Sequence, residues 1–291
     1  MTLAVFDIGG TAVKYGIWKD NQLSGQASFE TPATWDEMKD QLQTTFNQLK
    51  AEQGEVLGAA FSCPGAVDAE NGIINGISAV PYVHYFPIRD ELEVLLGVPV
   101  SIENDANCAA LAEVWQGAGA DVQNALFLVI GSGIGGAVIM NKQLIKGSNL
   151  FGGEFGYMLL EEDRTLSDIA SPVKAARYYQ EEKGLEETVT GKQLFQLADE
   201  GDELALKHLT KLKKGLARAI QMLAVAFNPD KVIIGGGISS RDDLITDLSD
   251  MVQAYLERTN ATDLDVEVVA CQYRNDANLV GAVASFLEQK K

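Results

Sequence analysis

The sequence predicts an α/β protein of two similar sub-domains around a central cleft, and three observations carry that prediction. An apolar run, Val5-Phe6-Asp7-Ile8, turns on Gly9-Gly10-Thr11 and resumes as Ala12-Val13-Lys14-Tyr15-Gly16-Ile17, the pattern of a β-hairpin. The design returns as Leu126-Phe127-Leu128-Val129-Ile130, a Gly131-Ser132-Gly133 turn, and Ile134-Gly135-Gly136-Ala137-Val138-Ile139-Met140, an internal repeat. Elsewhere short apolar strands alternate with helical patterns. The expected division is residues 1–104, completed by the last helix at about 276–291, and residues 105–275.

Each turn suits an anion. Gly9 and Gly10 have no Cβ, so a phosphate can approach their backbone N–H groups. Thr11 adds a hydroxyl, and Asp7 is placed to hold a phosphate-bound Mg2+, an ion that takes one or two carboxylates beside phosphate oxygens. A plain hairpin with a capping Asp has the same residues; the second copy is what favours two turns gripping one polyphosphate. Gly131, Gly133 and Gly136 also spell G-x-G-x-x-G. A strand-like run follows them instead of a helix, and no acid stands at the ribose position, which excludes a dinucleotide fold.

At 291 residues the chain has room for two cores. Its formal charge of −18, from 23 basic and 41 acidic residues, opposes nucleic acid as a partner. It does not oppose a nucleotide, whose phosphates are met by backbone N–H groups and Mg2+. No signal peptide is expected, since no basic segment precedes an apolar one, and no apolar run is long enough to span a bilayer. Cys63, Cys108 and Cys271 are scattered, which suits reduced thiols in the cytoplasm. His84 and His208 are the only histidines and read as surface or structural, so a general base is expected to be a carboxylate.

Thr34-Trp35-Asp36-Glu37 is a capping box, and Trp35, Met38, Leu42, Phe46 and Leu49 mark the helix that Gly54 ends. Val56 to Phe61 reads as a buried strand. Its end, Ser62-Cys63-Pro64-Gly65, is either a plain turn or a rigid loop at a sheet's carboxyl edge, where open α/β sheets bind ligands. Residues 66–87 read as irregular, with Tyr82, Tyr85 and Phe86 as ring-stacking surfaces. A helix over Ile88 to Leu96 and a strand over Val98 to Ile102 deliver Glu103-Asn104-Asp105-Ala106-Asn107 into a helix from Ala106 to Gln116. Asp105 is there either a helix N-cap or part of a hydrogen-bonding platform for a polyol. A helix N-terminus favours its ionised form, whereas a base working near neutrality gains from a raised pKa.

Beyond the second hairpin, Gly152-Gly153-Glu154-Phe155-Gly156-Tyr157 sets an acid and a phenol among three glycines. Residues 161–168 read as loop, and Ser171-Pro172 as a helix start. Asp202 to Phe227 reads as a core helix with Leu209, Leu212, Leu216, Ile220 and Leu223 on one face, stopped by Asn228-Pro229. Lys231 to Ile234 runs into Gly235-Gly236-Gly237, which is either bare backbone that suits a flat aromatic ring or a flexible turn. A strand at 266–270 and a helix containing Gly281 follow, the glycine allowing either close helix packing or the approach of a ligand.

In this order and spacing Asp7-Ile8-Gly9-Gly10-Thr11, Cys63-Pro64-Gly65, Glu103-Asn104-Asp105-Ala106-Asn107, Gly131-Ser132-Gly133-Ile134-Gly135-Gly136, Gly153-Glu154-Phe155-Gly156 and Gly235-Gly236-Gly237 resemble the ROK family of sugar kinases and related repressors, within the actin-like ATPase (ribonuclease H-like) fold. The resemblance implies ATP and Mg2+, with Asp7, Gly9, Gly10, Thr11, Lys14, Ser132 and Gly133 at the phosphates and Gly236 and Gly237 near the adenosine. It implies Asp105 as the base that takes a proton from a sugar hydroxyl. Asn104 and Glu154 then hydrogen-bond other hydroxyls, Pro64 and Gly65 line the sugar pocket, and Tyr157 stands beside the substrate. Many relatives have His at the place of Tyr157, next to a zinc held by clustered cysteines. Here no cysteine lies between Cys108 and Cys271, so no zinc site is expected in Met158 to Ser171. A sugar-reading acid is replaced near Ser167-Asp168, and the usual Asn is missing around Ala79-Val80-Pro81-Tyr82. The chain therefore resembles the zinc-free branch that contains β-glucoside kinases, and a homodimer is the family expectation.

The implied function is ATP-dependent phosphorylation of a hexose or glucoside at the primary 6-hydroxyl, with glucose, N-acetylmannosamine, fructose and a β-glucoside all open as the substrate. Two alternatives stand beside it. A sugar-sensing regulator adds an N-terminal helix-turn-helix, for which Asp7 lies too near Met1 and the net charge has the wrong sign. A catalytically silent sugar-binding relative is expected to lack a base at Asp105.

Overall fold

The computed structural model describes residues 1–289, and the chain forms two compact units. The first comprises residues 1–117, 147–151 and the chain from 275 onward; the second comprises 118–146 and 152–274.

In the first unit β1 (Leu3–Ile8), β2 (Ala12–Lys19) and β3 (Gln22–Glu30) form an antiparallel meander. Then come α1 (Trp35–Gln53), β4 (Ala59–Cys63), the hairpin β5 (Ala66–Asp68) and β6 (Ile73–Asn75), α2 (Ile88–Leu96), β7 (Val100–Asn104) and α3 (Asp105–Gln116). The sheet order is β3-β2-β1-β4-β7, with β1, β4 and β7 parallel. All residues of β1 and β4 are buried, as parallel strands covered on both faces require. The Thr34 capping box forms, and Met38, Leu42, Phe46 and Leu49 are the buried stripe of α1.

The second unit repeats the plan with β8 (Ala125–Ile130), β9 (Ile134–Met140) and β10 (Gln143–Leu144). A hairpin of β11 (Leu159–Glu161) and β12 (Arg164–Thr165) leads to α4 (Leu166–Ala170), α5 (Pro172–Lys183), α6 (Gly191–Asp199) and α7 (Glu203–Phe227). β13 (Lys231–Gly235), α8 (Asp242–Arg258) and β14 (Glu267–Ala270) complete it. Its order, β10-β9-β8-β13-β14, has the same strand directions as the first sheet. This is the ribonuclease H-like order twice in one chain, the actin-like ATPase fold. The last helix, α9 (Ala277–Gln289), belongs to the first unit.

The first unit runs to Gly117 and so includes α3, which packs along α9: a Cβ on Gly281 would stand 1.6 Å from the Cys108 carbonyl oxygen. Two expectations are corrected. Residues 66–87 contain the β5–β6 hairpin and a turn of 3-10 helix at Pro81–Val83; strands of three residues are too short to show a period. Residues 161–168 are not a loop but strand and helix, set by a capping box in which Thr165 and Asp168 bond each other's backbone N–H. No helix among the described residues is long and apolar enough to cross a membrane.

Candidate active site

In the first unit three parallel strands end side by side. The register sets Asp7 against Ser62, Ser62 against Glu103, and Cys63 against Asn104. The carboxyl edge therefore carries the Gly9-Gly10-Thr11 turn, Pro64-Gly65 and Asn104-Asp105 in one row, where sheets of this kind take ligands.

Asp7 is only 7% exposed. Its Oδ1 accepts hydrogen bonds from Ser62 Oγ at 2.7 Å and Asn278 Nδ2 at 3.0 Å. Its Oδ2 lies 3.8 Å from Nζ of Lys14, its cross-strand partner on β2. Two donors thus fix one carboxylate oxygen and leave the other toward a half-exposed ammonium. Such a carboxylate suits a hydrated, phosphate-bound Mg2+, which needs few protein ligands. The turn itself differs in detail from expectation. The Gly9 N–H is not bare: it donates to the Ala12 carbonyl at 3.1 Å, and Thr31 Oγ1 donates to the Gly9 carbonyl at 2.6 Å. Gly10 and Thr11 are the exposed residues of the turn.

At β7, the N-cap of α3 is Asn104, not Asp105: Asn104 Oδ1 accepts the Asn107 N–H at 3.1 Å. The Asn104 amide also donates to the Gly65 carbonyl at 2.9 Å, tying β7 to the Pro64-Gly65 turn. That turn needs glycine, since Gly65 has φ +94° and a Cβ would meet His84 Cε1 at 2.8 Å. Asp105 is the first residue of α3, partly buried, and its Oδ1 accepts the Ala106 N–H at 2.8 Å. His84 Nε2 is paired with Ser78 Oγ at 2.7 Å. Of the three expected stacking rings, Tyr85 is well exposed, Phe86 packs edge-on against Trp35, and the Tyr82 hydroxyl donates to the Pro32 carbonyl.

Cys63 lies among these carboxylates. Burial pushes its thiol well above the ordinary range, and Asp7, Asp105 and Glu103 push it further. Burial does the same to Cys108. A thiol held protonated is a poor nucleophile. All three cysteines are buried, so an aromatic disulfide reagent should label none in the native protein and all after denaturation. Rapid native labelling of Cys63 would show that its strand end opens.

In the second unit β8 and β13 pair Val129 with Gly235, so their glycine turns share one edge. The Gly131 N–H donates to the Gly133 carbonyl at 2.9 Å. Two serines hold the turn from behind: Ser171 Oγ lies 2.8 Å from the Gly131 carbonyl and 3.0 Å from that of Ser132, and Ser167 Oγ accepts the Ile134 N–H at 3.0 Å. Ser132 is left exposed. Gly236, at φ +87°, has no room for a side chain, because a Cβ would sit 2.1 Å from the Ile130 carbonyl oxygen. Gly131 and Gly237 have nothing within 4 Å of that position. The edge is thus open around Gly131, Ser132 and Gly237, while its turn is held rigid by hydrogen bonds from behind.

Residues 152–157 lie flat on β9, since a Cβ at Gly153 or Gly156 would meet the Gly136 or Ile134 carbonyl oxygen at 2.6 or 2.0 Å. Glu154 is fixed between them, and partial burial raises its carboxyl pKa. Tyr157 is 67% exposed. Sequence reasoning missed Ser62, Asn278 and the Ser167–Ser171 brace. Ser62 adjoins a motif that was read, but its register against Asp7 is a tertiary fact; nothing local marks Asn278.

A duplicated ribonuclease H-like sheet with glycine turns at the strand ends defines an actin-like ATPase. Within that class the chain belongs to the ROK family, whose model matches residues 3–289. It is 34% identical to a β-glucoside kinase of Listeria monocytogenes over 308 aligned residues, covering 100% of this chain and 99% of that protein. It is 35% identical to a β-glucoside kinase of Klebsiella pneumoniae, covering 98% and 96%. A solved ROK family protein from Streptococcus pneumoniae, in complex with sucrose, superposes with a TM-score of 0.90 at 33% identity, covering 100% of this chain and 99% of that one.

Proposed function

We propose that the protein is an ATP- and Mg2+-dependent sugar kinase acting on the 6-hydroxyl of a β-glucoside or hexose. The observation that carries this reading is the row of Asp7, Gly65 and Asp105 at adjacent strand ends of the first unit, in a chain that resembles β-glucoside kinases along its length. Asp105 accepts the proton of the hydroxyl as its oxygen bonds to the γ-phosphorus. Asn104, braced against Gly65 and Asn107, and Glu154 orient the other hydroxyls, with Pro64 and Gly65 as the wall of the pocket and Tyr157 at its rim. Gly9, Gly10, Thr11, Lys14, Ser132 and Gly133 receive the phosphates, and Gly236 and Gly237 the adenosine. Mg2+ beside Asp7 neutralises phosphate charge. Phosphoryl transfer needs little beyond this positioning and one proton acceptor. We assign the protein no zinc, since no cysteine lies between Cys108 and Cys271 to supply the thiolate ligands. Buried thiols fit a cytoplasmic protein, and a homodimer is the assembly we assign on family grounds.

The test is coupled ADP release over glucose, N-acetylmannosamine, fructose, cellobiose and other β-glucosides. Turnover with a β-glucoside or hexose that stops when Mg2+ is removed and persists with a zinc-selective chelator supports the reading. No ADP with any sugar removes it.

Glu154 gives a separate check. Burial raises its folded pKa above the ordinary 4.5, so the neutral carboxyl is the better accommodated form. That advantage is complete below the unfolded pKa and is lost as pH rises through the elevated value. Glu154→Gln should therefore melt above the wild type at neutral pH, with the gap closing on acidification, while sugar turnover falls. A gap that widens on acidification would contradict the burial argument.

A further inference from the structure

The exposed face of α7 lines a cavity of about 470 Å3, bounded also by the β11–β12 hairpin and α4. Lys207, Lys211, Lys214 and Arg218 line it. At roughly 3.6 residues per turn these positions fall within an arc of about 60°, so one stripe of one helix holds four of the chain's 23 basic residues. A solvated helix face ordinarily offsets such a stripe with carboxylates three or four residues away. Here α7 contains no acidic residue after Glu203. Lys207 is tied to Glu182. Lys211 lies 3.4 Å from Glu161, whose carboxylate is shared with Arg164 at 3.8 Å. Lys214 and Arg218 are exposed and have no ion pair among the described residues. The floor is apolar, made by Leu160 and Ile169, and Gly215 lets Ile169 in, since a Cβ there would meet Ile169 Cγ2 at 2.7 Å.

The chain's net charge of −18 does not cancel this patch, because salt screens charges beyond about 8 Å at physiological ionic strength. The volume suits a small molecule, as pockets for such ligands run from about 300 to 1,000 Å3. We propose that this groove binds a small organic phosphate monoester, its phosphate on Lys214 and Arg218 and its carbon skeleton on the apolar floor. None of these residues is among those assigned above to ATP or sugar, so the site stands whether or not the kinase reading does.

Lys214→Ala/Arg218→Ala is the discriminating variant, since it leaves the Glu182 and Glu161 ion pairs alone and puts good helix formers on an exposed face. Calorimetric titration with phenyl phosphate, an ester that is not a product of the proposed reaction, should show a saturable site in the wild type that weakens at least about tenfold in the double variant, while circular dichroism and ADP release are unchanged. Inorganic phosphate should bind that site at least about tenfold more weakly than the ester, because it cannot use the floor. The proposal is overturned by absence of saturable binding in the wild type, by equal ester affinity in the two proteins, or by inorganic phosphate binding as tightly as the ester.

Discussion

Asp105→Asn lowers kcat by about 10²- to 10⁴-fold, the range a positioned general base contributes, and leaves the melting curve in place. The fold is expected to survive because the substitution keeps the size and shape of the side chain. Its Oδ1 accepts the Ala106 N–H, and an Asn carbonyl oxygen accepts that bond equally well. The helix cap is Asn104, so the substitution leaves α3 capped. What Asn lacks is a site for the proton that must leave the sugar hydroxyl as the phosphoryl group arrives. Sugar affinity, read by equilibrium titration, should change far less than kcat. The measurement is kcat at saturating sugar and ATP beside a circular dichroism melt. An unchanged kcat would remove Asp105 from the chemistry, and a collapsed melt would show it to be a structural carboxylate instead.

The division between what the sequence disclosed and what it hid follows the range of the interactions. Local signals were legible. Thr34 and Glu37 form the capping box, Ser171-Pro172 starts α5, and Asn228 ends α7 in the left-handed conformation. The hairpin repeat was legible too, since each copy is contiguous, and the two sheets have matching orders. Long-range pairings were not. Asp7 is held by Ser62 from a parallel strand and by Asn278 from the last helix, and no spacing rule links such positions. The choice for Asp105 between helix cap and polyol platform was of another kind. Asn104 and Asp105 are both good N-caps, and only the geometry of the turn shows that Asn104 caps α3 while Asp105 enters it. The same holds for Gly9, whose N–H closes its own turn.

Gly281→Ala is the substitution with the largest expected effect on stability. In α9 a Cβ at this position would lie 1.6 Å from the Cys108 carbonyl oxygen and 2.7 Å from its Cα. That neighbour is backbone in the middle of α3 and cannot rotate away, so the two helices must separate. Helix propensity alone favours Ala over Gly by about 1 kcal/mol. Overpacking against a rigid neighbour costs about 1–3 kcal/mol and occasionally more, and a contact this short belongs at the upper end. A net loss of about 2 kcal/mol or more should lower Tm by roughly 3 °C or more in a protein of this size. The effect reaches the candidate site, because α3 begins with Asp105 and the first turn of α9 holds Asn278, which donates to Asp7. Separating the helices moves both ends of the row at the strand edge, so turnover should fall well below the melting temperature as well. A variant that melts and turns over like the wild type would mean that α9 does not lie against α3 as described, and the fixed geometry argued for Asp7 would lose its support.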